Sequence, residues 1–147
     1  MKRFLACLGA AAAITAGLVV TGPSAQAATV CGGSTKYYDT AGYYVDVPTT
    51  SSLGSNFCTL RRGASGDAVY QLQIALNGCY GQDVGGFDGD FGAKTENALR
   101  RVQSALGLDA DGVYGPNTRD KMKWQWRNME GSHRCLRLTQ APGPLSQ

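Results

Sequence analysis

Histidine is almost missing from this sequence: His133 is the only one in 147 residues. A catalytic zinc takes about three protein ligands and a general base. One histidine, with no two of the later cysteines close in sequence, does not supply them. A cysteine hydrolase needs a free thiol beside a histidine, and His133 stands in the tail. An excess of one charge is missing too. Removing Lys2 and Arg3 from the 14 Lys plus Arg leaves 12 against 11 Asp plus Glu, far from the basic stripe of a nucleic-acid binder. Nor is there a second long hydrophobic run. The first, Phe4 to Val20, follows the basic Met1-Lys2-Arg3 and precedes Ala25-Gln26-Ala27. That order is a secretory signal peptide with a small-residue cleavage site. We expect residues 1–27 to be removed on export, with no membrane association afterwards.

Cysteine is not scarce. With Cys7 removed, Cys31, Cys58, Cys79 and Cys135 remain, and four cysteines in a small exported chain read as two disulfides. Of the three connectivities, Cys58–Cys135 would close the helical unit at its ends and leave Cys31–Cys79 to pin the segment before it. We place that arrangement first; Cys58–Cys79 is also within reach, and geometry does not decide.

Glycine is plentiful, with 20 residues, and it organises a repeat. Asp88-Gly89-Asp90-Phe91-Gly92-Ala93-Lys94-Thr95 and Asp111-Gly112-Val113-Tyr114-Gly115-Pro116-Asn117-Thr118 share the pattern Asp-Gly-x-aromatic-Gly-x-x-Thr. Asp-Gly makes a turn, because the carboxylate accepts nearby backbone N–H groups and glycine tolerates positive φ. The second glycine opens a helix, and Pro116 suits a first helical position. Thr95 and Thr118 can bond back into their turns. Asp88, Gly89, Gly92, Asp111, Gly112 and Gly115 are therefore read as turn formers rather than catalytic groups. Neither loop carries calcium-binding carboxylates at the required spacing, and no metal or cofactor is expected.

Around this repeat we expect a helix from Gly66 to Asn77, capped by Ser65 and stopped by Gly78, with Val69, Leu72 and Leu76 on its core stripe. A second helix should span Ala93 to about Leu106. A third should start at Pro116, with Met122 and Trp126 one turn apart. Before them, Lys36-Tyr37-Tyr38 and Tyr43-Tyr44-Val45-Asp46-Val47 flank a turn and read as a β-hairpin. Its four tyrosines either stack on sugars or, as we prefer, cover Tyr70 and Ile74 of the first helix. The predicted organisation is a signal peptide (1–27), a Tyr-, Ser- and Thr-rich hairpin arm (28–57), a mainly α three-helix bundle (58–126), and a basic, partly disordered tail (127–147).

Leu60 to Trp124 resembles the three-helix peptidoglycan-binding domain found on many secreted bacterial cell-wall hydrolases. The resemblance is carried by Leu60, Gly63, Gly66, Val69, Leu72-Gln73 and Leu76. It continues through Asp88-Gly89, Phe91-Gly92, Thr95, Ala98-Leu99 and Gln103, then Gly107-Leu108, Asp111-Gly112, Gly115-Pro116 and Thr118. Val102 and Lys121-Met122 depart from the family pattern. The resemblance implies non-covalent binding of peptidoglycan, through either its glycan or its stem peptide. Ring stacking, side-chain amides and arginine suit those groups. Candidate contacts on or beside the two loops are Tyr80, Gln82, Asp90, Tyr114, Asn117 and Arg119, while Gln73 and Gln103 are expected to bind backbone inside the fold. Trp124 and Trp126 with Lys121, Lys123 and Arg127 could also meet anionic wall polymers, although a solvated helix end explains them as well. The sequence thus points to a secreted, monomeric, non-catalytic binder, extracellular or wall-associated. The alternative is a secreted regulator or inhibitor docking on a wall hydrolase or another exported protein.

Overall fold

In the computed structural model of the chain, residues 29–52 and 54–140 are described, so the expected signal peptide and the last seven residues lie outside them. Three α-helices occur among the described residues: Asp67–Tyr80 (α1), Ala93–Ala105 (α2) and the short Pro116–Lys121 (α3). Four strands accompany them: Gly33–Tyr38 (β1), Tyr44–Thr49 (β2), Trp124–Arg127 (β3) and His133–Leu136 (β4). They form one antiparallel sheet in the order β1-β2-β3-β4. The expected mainly α bundle with a separate hairpin arm is therefore wrong. Half of the sheet comes from residues assigned to the third helix and the tail.

The cause lies at Met122, whose backbone is extended (φ −78°, ψ 157°) and ends α3 after six residues. Trp124-Gln125-Trp126-Arg127 then alternates buried and half-buried positions, the two-residue period of a strand rather than the 3.6-residue period of a helix. Both tryptophans are fully buried. At about 200 Å² of ring surface and about 25 cal/mol per Å², each contributes about 5 kcal/mol. Hydrogen bonds fix their orientation: the Trp124 indole N–H donates to the carbonyl of Arg119 (3.1 Å) and that of Trp126 to the carbonyl of Leu136 (3.3 Å).

The tail is bound to the hairpin by charge. Asp39 opens the β1–β2 turn, accepting the N–H groups of Ala41 (2.9 Å) and Tyr43 (2.8 Å) on one oxygen. Its other oxygen takes the Arg134 guanidinium at 2.6 Å. Asp46 pairs with Lys36 at 3.0 Å and Arg127 at 2.9 Å. Arg134 also lies over the Tyr43 ring, 3.8 Å from its centre, and Lys36 over that of Tyr44 at 4.2 Å. These tyrosines therefore meet cations. Tyr70 instead makes an edge-to-face pair with Phe87, their centres 6.4 Å apart, while Ile74 lines a small crevice with Val45 and Trp124.

Two helix boundaries differ from expectation. Ser65 does not cap α1. The cap is Gly66, at φ 111°, and no side chain bonds there. Gly66 donates its N–H to the carbonyl of Gly89 (2.9 Å), and a Cβ on Gly89 would lie 3.1 Å from the Gly66 oxygen. The helix start and the first Asp-Gly turn thus touch through two glycines. At the far end α1 runs past Gly78 to a left-handed Gly81, whose N–H bonds the Asn77 carbonyl. Gly78 has a packing role, since a Cβ there would come within 2.9 Å of the Gln125 side chain of β3.

The disulfides are Cys31–Cys58 and Cys79–Cys135, not Cys58–Cys135 with Cys31–Cys79. Val30 pairs with Thr59 in a parallel bridge. There the N–H of Cys31 reaches the Thr59 carbonyl (3.0 Å) and the N–H of Thr59 the Thr29 carbonyl (2.8 Å), so Cys31 and Cys58 meet. Packing of β3 against the last turn of α1 brings Cys135, opposite Gln125 in β4, to Cys79.

Candidate functional site

The repeated phrases fold into the same device twice. In the first, Gln73 projects from α1, fully buried. Its side-chain amide donates to the Asp88 carboxylate (2.8 Å), the Asp90 carbonyl (3.1 Å) and the Thr95 hydroxyl (3.3 Å). Its oxygen accepts the N–H of Gly89 at 2.9 Å. In the second, Gln103 of α2 donates to Asp111 (2.8 Å), the Val113 carbonyl (2.9 Å) and Thr118 (3.2 Å), and accepts the N–H of Gly112 at 2.9 Å. Each carboxylate also takes the N–H two residues on, at 2.9 Å from Asp90 and 2.8 Å from Val113. One buried glutamine per helix thus clamps one turn and aims the helix that follows. The Gln73 amide, with the Asp90 N–H behind it, holds the Asp88 carboxyl below the usual carboxylate range.

Beside the second clamp the surface is concave. A hollow of about 420 Å³ is bordered by Thr59, Asp109, Asp111 and Asn117. Another of about 580 Å³ adjoins it through Thr59 and Val113, and its far side is formed by Val30 and residues 61–64. Leu60 ties this side to the turn, exchanging backbone hydrogen bonds with Tyr114 at 3.0 and 2.8 Å. No group of three or more His, Cys, Asp or Glu side chains placed to hold a metal occurs among the described residues.

Residues 65–122, which contain both clamped turns, match the family described as "Putative peptidoglycan binding domain". Over 129 residues the chain is 36% identical to the "Uncharacterized protein in bpoA1 3'region" of Kitasatospora aureofaciens, covering 82% of this chain and 91% of that one. The chain belongs to this peptidoglycan-binding family. It is also 49% identical over 65 residues to the zinc D-Ala-D-Ala carboxypeptidase of Streptomyces albus G, 44% of this chain. It spans only 26% of the length of that enzyme. Among solved structures, the SleB N-terminal domain is 40% identical and covers 43% of this chain and 85% of that one, with a TM-score of 0.41.

Within the peptidoglycan-binding domain the six candidate contacts separate into two groups. Tyr114 is fully buried, packed edge-to-face on Trp124 with ring centres 6.1 Å apart, and burial pushes its hydroxyl far up. Arg119 is 6% exposed. It bonds Asp120 at 2.7 Å and the Asn56 carbonyl at 2.7 Å, tying the segment before the domain to α3. Tyr80 is half-buried, and its hydroxyl accepts the Lys123 N–H at 2.6 Å. Burial raises its pKa, partly offset by that bond. These three hold the fold together. Gln82, half-buried, donates to the Tyr80 carbonyl (3.1 Å), whereas Asp90 and Asn117 are exposed. Of the six, Asn117 alone borders the hollows described above. Sequence reasoning missed Thr59, Arg61 and Val30 on their walls. Their proximity depends on the Val30–Thr59 bridge, which no local pattern announces.

Proposed function

We propose that the chain is a secreted, non-catalytic binder of bacterial cell-wall peptidoglycan, acting outside the cell or on the wall as a monomer. The observation that carries this reading is the concave surface beside the second glutamine-clamped turn, inside a domain whose family description is peptidoglycan binding. Rigid backbone at that turn suits recognition, because a preorganised surface loses little entropy on binding. Asn117 is the contact we place there, with Gln82 and Asp90 around the first turn.

The clamps also support the non-catalytic part. A glycosidase acid needs a carboxyl whose pKa is raised toward neutrality. Asp88 is shifted the other way, and the oxygen of Asp111 that faces Gln103 is already engaged. We place residues 29–57 and 127–140 with 58–126 as one working unit, since the sheet draws strands from both ends.

Pelleting of the chain from Ala28 onward with insoluble sacculi tests the reading. Retention in the pellet is expected. A chain that stays in the supernatant, yet co-purifies with an exported wall enzyme, would favour a docking role instead.

A further inference from the structure

The two hollows share Thr59 and Val113, so they lie side by side and make up a two-part trough whose halves differ in charge. To one side of the shared walls stand Arg61 and Arg62; to the other, Asp109 and Asp111. Arg62 reaches Glu96 at 3.3 Å, and Asp111 is held by Gln103. Arg61 and Asp109 are exposed and enter no ion pair among the described residues. The shared wall offers the Thr59 hydroxyl, the acidic half adds the Asn117 amide, and the basic half has Val30 as an apolar wall. Val30 is 60% exposed and is held there by its bridge to Thr59 and the neighbouring Cys31–Cys58 bond.

A peptide-free glycan chain presents hydroxyl and acetamido groups and the lactyl carboxylates of its muramic residues but no cation, which leaves the acidic end without a counterpart. A short peptide with one free carboxylate and one free amine complements both ends. We propose that this trough takes the peptide portion of peptidoglycan, with a carboxylate at Arg61 and an ammonium group at Asp109. The inference rests on the wall-binding reading and narrows it to the peptide. Each end is solvent-exposed, so a single pair contributes modestly. Selectivity comes from the requirement for both charges at a set separation, with a guanidinium matched to the carboxylate.

Calorimetric titration of the chain from Ala28 onward tests this with four soluble probes. They are a synthetic stem tripeptide capped at its α-amine, with free carboxylates and a free side-chain amine, the same peptide acetylated on that side-chain amine, its carboxyl-amidated form, and a peptide-free disaccharide of the glycan. Binding of the free tripeptide is expected, weakened about three- to tenfold by either modification, with no binding of the disaccharide. Arg61→Gln should abolish discrimination against the amidated form, and Asp109→Asn that against the acetylated form. Both side chains are exposed, and unchanged melting curves would show that each variant is folded. Sacculus pelleting is run in parallel. If sacculi retain the chain while the tripeptide does not bind, the disaccharide binds alone, or the variants still discriminate, the peptide assignment is overturned and wall binding stands. If sacculi fail to retain it, the wall-binding reading falls and this inference with it.

Discussion

Gln73 and Gln103 stand at equivalent points of the two clamps, and their burial makes them costly to lose. Truncating either leaves the buried N–H of Gly89 or Gly112 without its acceptor and opens a small void beside the turn. An unsatisfied buried polar group costs about 1–3 kcal/mol. Gln103→Ala and Gln73→Ala should each lower the unfolding free energy by about 2–4 kcal/mol in urea denaturation; a loss below about 0.5 kcal/mol would show that the clamps do not hold the turns. Tyr114 gives the opposite sign. Its hydroxyl is buried with no hydrogen-bond partner, so Tyr114→Phe should leave stability unchanged or raise it by up to about 1 kcal/mol. Asp88 supplies a pH dependence. Its folded pKa lies below the ordinary carboxylate value because the charged form receives the Gln73 amide and the Asp90 N–H. The resulting stabilisation is complete above the unfolded pKa of about 4 and is lost as pH falls through the lowered folded value. Melting curves between pH 6 and pH 2 should therefore show a steeper acid decline for the parent chain than for Asp88→Asn.

At the level of elements, local determinants part from distant ones. The Asp-Gly turns and the starts of α2 and α3 were legible because their causes sit within eight residues: a carboxylate, a glycine and, at Pro116, a fixed φ. The core stripe Val69, Leu72 and Leu76 was legible by its period and is fully buried. The end of α1 was misread because two glycines compete for the stop, and the reason Gly78 is a glycine, its close approach to Gln125, lies far along the chain. Strands β3 and β4 were missed because four residues hold barely two periods of alternation. The Met122–Trp126 spacing fits a helical turn equally well, and only the hairpin's Asp46 and Asp39 show where Arg127 and Arg134 belong. Half the trough was hidden for the same reason, since Val30 and Arg61 join Val113 only through bridge pairing. Cys79–Cys135 spans 56 residues and fastens β4 to α1. Cross-linking a loop of that length is worth about 4 kcal/mol in the chain-entropy view. The Cys79→Ser, Cys135→Ser double variant should lose about 3–4 kcal/mol of stability. In hydrogen exchange the amides of β4 should lose protection before those of α2. Uniform loss across both would contradict the role given to this bond.

On the scale of the whole molecule, two layers with separate causes meet. The family segment, residues 65–122, supplies the clamped turns, and the sheet built from both flanking segments packs against α1, to which Cys79–Cys135 fastens β4. The family segment does not supply the trough alone: its walls come from Val30, Thr59 and residues 61–64 on one side and from the second turn on the other. Under the proposed function, recognition of the wall draws on the assembled chain. The most direct measurement is a binding isotherm of the chain from Ala28 onward on washed sacculi in moderate salt, with the turbidity of the same suspension followed over hours. Saturable retention with turbidity unchanged is the predicted result. A flat isotherm, or a fall in turbidity that tracks the protein concentration, would contradict a binder that holds the wall without cutting it.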